Sequence, residues 1–299
     1  MIHEDKEQFF ILIDRIASLT GFYAPLIEKD YYLTLLLSRI HELSGNLIFK
    51  GGTCLNKIYY SYYRLSEDLD FSMMLPRYQA TRGERRKCIQ PVKNGIERFV
   101  KQFSMRIDDA GNPGRNESKQ YVYHIVYDSV TTLSEQTIKF EVGLKFNPIL
   151  DTEKRAVQHK FKHSFTDEPL FASGEIQCMS LKEIVSEKLR AGATRQIIAP
   201  RDFYDIDFIL RNKFDLADKE VMTLFKKKLQ EDDADTDLVK YRKNLGRSDE
   251  EIKDMNSRIE AELFDVLSLN ERDNFSLDKA LTRINNAMES GTRFELVTE

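Results

Sequence analysis

Apolar residues recur every three to four positions over residues 5–19, where Phe9, Ile13 and Ile16 share a face, and over the Leu-rich stretch 26–43. That period predicts two helices, the second stopped by Gly45. The pattern then shortens. Leu47–Lys50 reads as a brief strand running into Gly51-Gly52-Thr53, residues 53–63 as an aromatic helical segment, and 68–73 as a second strand. Residues 82–103 return to helical spacing, with Pro91 marking a kink or a fresh start. Asp108–Gly114, built of Asp, Gly, Asn and Pro, predicts a turn or loop. Alternation with period two follows at 121–127 and 137–144, where Ile138, Phe140, Val142 and Leu144 are interleaved with Lys139, Glu141 and Gly143. From Ser180 onward the spacing is helical. The expected organisation is an α/β (α+β) domain over residues 1–178 and a helical C-terminal domain over 179–299.

Composition narrows the picture. A chain of 299 residues, 41% hydrophobic and 31% charged, is globular and long enough for a large core or two domains. Its net charge of -4 rules out a basic nucleic-acid glove formed by the whole molecule. One segment departs from that balance: residues 77–106 hold nine Lys and Arg against only Glu84 and Glu97. This segment reads either as an RNA-contacting surface or as a solvated, charge-laced helix face. An acidic run, Glu231 to Asp237, lies far from it in sequence. Cys54, Cys88 and Cys178 have no metal-type spacing and read as free thiols of a reducing compartment. His159 and His163 are four apart, with no third ligand nearby in sequence. The charged start MIHEDKEQ is unlike a signal peptide, and no apolar run approaches the roughly 20 residues of a membrane helix. The expectation is a soluble, cytoplasmic protein without a membrane partner.

The densest chemistry lies in residues 49–73. Glycines at 51 and 52 let the backbone come close to phosphates. Asp68 and Asp70 stand two apart on the expected second strand and project from one face, where they can clamp divalent cations. Two-metal phosphoryl transfer calls for a third carboxylate from a neighbouring strand, and Glu141 on the polar face of the later strand fits. The alternative is that Asp68 and Asp70 end a strand in solvent and that Glu141 pairs with Lys139 or a cross-strand lysine.

A second constellation spans residues 180–210. Ser180 and Glu183 form a capping box, so a helix should start at Leu181. Its apolar stripe, Leu181, Ile184 and Val185, leads by helical spacing to Lys188, with Arg195 seven residues further. Cations on such a stripe need an anion. Triphosphate is one; Asp202 and Asp205, sharing a face of the helix after Pro200, are another, and would make the cluster a structural ion network.

Together these segments carry a specific resemblance. EKDYYLTLLLSRI (28–40), LIFKGGTCLNKIYY (47–60), RLSEDLDFSM (64–73), KFEV (139–142) and SEKLRAGATRQIIAPRDFYDI (186–206) resemble the AbiEii/AbiGii family of toxin-type nucleotidyltransferases. That family belongs to the DNA-polymerase-β-like superfamily. The resemblance covers about residues 25–210. It implies a polymerase-β-like domain with a mixed sheet, an NTP substrate and Mg²⁺ held by Asp68, Asp70 and Glu141. It also implies phosphate contacts from Gly51, Gly52, Thr53 and Lys188, with Arg64 and Ser66 as second-tier nucleotide contacts; on the residues' own reading Arg195 would help to position the triphosphate. Asp202 or Asp205 would match the family's late acid. The gap from Gly52 to Asp68 is longer than the usual superfamily linker, which loosens the placement of Thr53. Relatives transfer nucleotides to tRNA 3′ ends and are paired with an antitoxin, so the resemblance implies a tRNA acceptor and an antitoxin partner. A protein or small-molecule acceptor, or a non-catalytic nucleotide- or partner-binding module, are the competing readings.

Overall fold

The computed structural model describes residues 1–78, 80–108, 113–163, 166–171 and 174–293. Residues 109–112 of the expected 108–114 turn lie outside the described residues. The chain divides into two compact units, Met1–Met179 and Ser180–Glu299.

The N-terminal unit opens with α1 (Lys6–Thr20), capped by the Asp5 side chain and ended by left-handed Gly21, and α2 (Ala24–Ser38). The helical spacing carries past Ser38, yet α2 ends there and a short 3₁₀ turn, Ile40–Glu42, finishes the segment. Nearly every residue of α2 from Leu26 to Leu37 is buried, including Glu28, Asp30 and Thr34. Such a helix is an axle of the core and not a surface helix. Its buried acids all have work. Glu28 accepts from the Val130 and Thr131 N–H groups at 2.8 and 3.1 Å and from the Ser129 and Thr131 hydroxyls. Asp30 takes the fully buried Lys57 ammonium at 2.6 Å and the Tyr62 hydroxyl at 2.6 Å.

The sheet follows. It comprises β1 (Leu47–Lys50), β2 (Leu69–Met73), β3 (Arg106–Ile107), β4 (Gly114–Arg115), β5 (Gln120–Asp128), β6 (Glu135–Gly143), β7 (Glu153–Ala156) and β8 (Glu175–Cys178). The order is β3-β5-β6-β2-β1-β8-β7, with β4 paired to β5. It is mixed: β2 runs parallel to β6, and β1 parallel to β8, while the other pairs are antiparallel. Phe49, Phe71 and Phe140 stack across the three central strands with centroids 5.5 and 5.1 Å apart, and all three are fully buried. That row fixes the register, because a one-residue slip would turn these rings to the other face.

Two expected elements differ in detail. The helix after the glycines starts at Gly51 and not at 53: α3 (Gly51–Cys54) passes into a π-helical turn, Leu55–Tyr59. The π turn places Lys57 against Asp30 and Thr34, a buried charge that an unbroken α-helical pattern does not anticipate. The strand expected over 68–73 begins at Leu69, so Asp68 stands just before it. Pro91 marks a fresh start: α4 (Arg82–Cys88) ends and α5 (Gln90–Lys101) begins around it. β7 and β8 escape the sequence pattern because they are short and β7 is largely exposed.

The C-terminal unit is helical: α6 (Leu181–Thr194), α7 (Pro200–Arg211), α8 (Lys219–Glu231), α9 (Leu238–Gly246), α10 (Asp249–Glu262), α11 (Leu269–Asn274) and α12 (Leu277–Arg293). Helix α6 packs on α7, α8 and α9, and α12 on α7 and α9, around Leu189, Phe203, Phe225, Leu245 and Ile284. Among the described residues no single helix is long and apolar enough to cross a membrane; α1 and α2, bent by 111°, reach that length and composition only as a pair.

Candidate active site

Strand register brings three charged residues into one row. Lys50 of β1 lies opposite Asp70 of β2, and Asp70 opposite Glu141 of β6. Asp70 is thus flanked by one cation and one anion on adjacent strands. Burial pushes its carboxyl up to about 6; Glu141 and Asp68 push the same way, while Lys50 and Lys139 pull it down. A carboxylate held that far above its ordinary value is short of positive charge.

The glycine turn closes on this group. Gly51 has φ +76°, the left-handed region, and a Cβ there would stand 2.8 Å from Asp70 Oδ2. Both facts require glycine, and they bring the main chain at residue 51 against the Asp70 carboxylate. At Gly52 a Cβ would stand 2.5 Å from Arg64 Nη2. Arg64 is only 3% exposed, donates to the Leu65 carbonyl at 2.8 Å and lies over the Tyr63 ring. A fixed guanidinium therefore lies against the second glycine.

Thr53 and Ser66 have a local role. Thr53 is 1% exposed; its hydroxyl donates to the Asp68 carbonyl and shares a hydrogen bond of 2.7 Å with the Ser66 hydroxyl. These bonds tie the end of the 60–68 loop to the glycine turn and so fix where Asp68 leaves the loop. The Lys29 ammonium, 2.9 Å from Glu67, ties the same stretch to α2. Glu141 accepts from Gln120 Nε2 at 2.6 Å and pairs with Lys139 at 2.5 Å. Among the described residues no three His, Cys, Asp or Glu side chains converge as a ready-made ion cage.

The second constellation sits in the C-terminal unit. Lys188, 14% exposed, lies 2.7 Å from Asp202 and 2.8 Å from Asp205. Arg195 reaches Asp202 at 2.5 Å. Arg195 is not on the helix: α6 ends at Thr194, and Arg195 is its extended C-cap. Two cations and two buried acids balance in charge, and the cluster ties α6 to α7. This pairing by itself accounts for a cation on the apolar stripe of α6.

Lys50, Gln120 and Lys29 are site-side residues that sequence reasoning misses. Lys50 has a usable signal: it is the last residue of an apolar strand immediately before the glycine pair. Gln120 has none, since only the β5–β6 register brings it beside Glu141.

Comparison with known proteins gives a family and a fold. The family described as "Nucleotidyl transferase AbiEii toxin, Type IV TA system" matches residues 35–288. Several solved structures share the fold, among them the following two. MenT4, a nucleotidyltransferase toxin from Mycobacterium tuberculosis, is 17% identical, with a TM-score of 0.59 over 94% of this chain and 98% of that one. JHP933 from Helicobacter pylori is 14% identical, with a TM-score of 0.52 over 93% of this chain and 96% of that one. No curated protein matches in sequence.

Proposed function

The chain belongs to the AbiEii family of nucleotidyltransferase toxins of type IV toxin–antitoxin systems, and from that premise we propose that it transfers a nucleoside monophosphate from an NTP to the 3′ hydroxyl of a tRNA. The observation that carries this reading is the Lys50–Asp70–Glu141 row with the Gly51 main chain against Asp70. It juxtaposes a phosphate-cradling turn and a carboxylate short of positive charge.

Mg²⁺ suits these residues. Asp68, Asp70 and Glu141 offer only oxygen donors, and Mg²⁺ is ordinarily held by one or two carboxylates together with substrate phosphates and water. The raised Asp70 carboxyl is the group whose ionisation a cation would relieve. When bound, the ion polarises the phosphoryl oxygens and eases loss of the acceptor hydroxyl proton. Asp68 and Asp70 would hold it, with Glu141 completing the set once Lys139 releases it. Gly51 and Gly52 offer the triphosphate a close main-chain approach. Lys50 and Arg64 would offer positive charge to offset the negative charge that builds on the pyrophosphate leaving group. Thr53 and Ser66 hold Asp68 in place. Such a toxin works in the cytoplasm, where tRNA and NTP are found, and its family implies a cognate antitoxin as partner.

Pyrophosphate release tests this directly. Release should require NTP, a divalent cation and added tRNA together. Release that ignores tRNA would point to another acceptor, and none under any combination would favour a binding role.

A further inference from the structure

The nine cations of segment 77–106 are not equivalent in the fold. Arg77 pairs with Glu84 at 2.9 Å, Lys101 with Glu97 at 3.4 Å, and Arg106 with Glu135 at 2.7 Å. Arg85 is buried and donates to the carbonyls of Ala80 at 2.5 Å and Glu117 at 3.1 Å. These four are committed to structure. Arg82, Arg86 and Lys93 are exposed, make no ion pair among the described residues, and line one cavity of about 400 Å³. Arg115, from β4 and outside the basic segment, joins them; among the described residues Glu117 is the only acid in the lining.

The cavity has a built wall. Asn116, Glu117 and Ser118 are successive non-glycine residues in the left-handed region, with φ of 48°, 54° and 66°. That conformation is costly and persists where the surroundings hold it. Here the buried Arg85 holds the Glu117 carbonyl from α4. The same wall leads to the carboxylate row. Asn116 Nδ2 donates to Gln120 Oε1 at 3.2 Å, and Gln120 Nε2 donates to Glu141 Oε1 at 2.6 Å. In the sheet, β5 and β6 lie on one side of Asp70 and β1, which leads into Gly51, on the other. The glycine turn and the basic cavity therefore flank the row from opposite sides.

We propose that this cavity seats a backbone phosphate of the acceptor RNA near its 3′ end, so that the terminal hydroxyl comes up to Glu141 from the β5 side while the triphosphate lies at the glycine turn. This rests on the acceptor reading above. Arginine forks and a lysine around an open polar cavity match the phosphodiester oxygens of a strand, and the path through Asn116 and Gln120 gives that strand a direction.

The test uses the full chain and fluorescently labelled bulk tRNA, with binding followed by anisotropy across a salt series. The triple variant Arg86→Ala/Lys93→Ala/Arg115→Ala should lose about tenfold or more in affinity near 0.1 M salt, and its slope of log K against log[salt] should fall by about two to three. Lys101→Ala/Arg106→Ala, which removes paired cations elsewhere on the segment, should stay within about twofold of the parent chain. The charge-keeping variant Arg86→Lys/Lys93→Arg should bind within about threefold, which separates lost charge from lost fold. Unchanged affinity in the triple variant overturns the proposal. So does an equal loss in the Lys101/Arg106 control, which would mean diffuse attraction, or inorganic pyrophosphate protecting the cavity lysine from labelling while tRNA does not. No tRNA binding by the parent chain would sink the acceptor reading itself. Binding through the cavity without label transfer would leave the cavity standing and reject the transfer chemistry.

Discussion

Replacing Asp70 with asparagine should abolish transfer and stabilise the cation-free protein. The Asp70 carboxyl is raised from near 4 to about 6, by burial first and by Glu141 and Asp68 after it. Ionising it in the fold then costs at most about 3 kcal/mol more than in the unfolded chain. The sign follows from which state holds the proton. Below pH ~4 the group is protonated in both states and carries no penalty. The penalty grows as pH rises towards 6 and is complete above it. Asparagine has the same shape and no charge to desolvate. At pH 8 the variant should gain up to about 3 kcal/mol, and at pH 5 about half of that. For a domain of this size the pH 8 gain corresponds to a rise in Tm of up to roughly 6–12 °C. Thermal unfolding of both proteins at pH 5 and 8, with EDTA and with Mg²⁺, reads the effect. Mg²⁺ should raise the Tm of the parent chain and leave the variant almost unmoved. A variant equally less stable at both pH values would refute the reasoning, because Asp70 would then be a satisfied partner of Lys50 and not a strained ligand.

Gly51→Ala should lose transfer and cost about 1–2 kcal/mol in stability, since alanine at φ +76° is strained and its Cβ would stand 2.8 Å from Asp70 Oδ2; parallel melting and transfer assays check both. Lys57→Ala strands Asp30 in the core of the N-terminal unit and should cost about 3–5 kcal/mol by urea unfolding, whereas Lys57→Ala/Asp30→Ala should recover part of that loss. Lys188→Ala leaves Asp202 with Arg195 alone and Asp205 without Lys188, so the C-terminal unit should be destabilised by about 3 kcal/mol or more; intact stability with weakened NTP binding would instead make Lys188 a phosphate contact.

Local chemistry made much of this fold legible. Leu47–Lys50 has the observed strand bounds, the Ser180 cap starts α6 at Leu181, and Pro91 restarts a helix, because each depends on neighbours in sequence. The alternation that puts Glu141 on a polar face is likewise local. That Glu141 lies beside Asp70, and Asp70 beside Lys50, is not: register joins residues about 20 and 71 positions apart and is set by which phenylalanines stack. The buried acids of α2 are opaque for a related reason. Glu28 and Asp30 sit in an apolar run with nothing local to explain them, and their partners, the 129–131 turn and Lys57, come from other elements. Lys188 was legible as a cation needing an anion, but spacing alone could not choose between phosphate and Asp202 with Asp205.

Nucleotide transfer to RNA at the Asp70 row can be measured outright. The most direct measurement incubates the protein with Mg²⁺, total cellular RNA and each α-labelled NTP in turn, beside Asp70→Asn. Label on a tRNA-sized band, present with the parent chain and absent with the variant, is the predicted result, and the NTP that gives it names the transferred base. Unlabelled RNA with every NTP, from protein that melts cooperatively and binds nucleotide, would contradict the account.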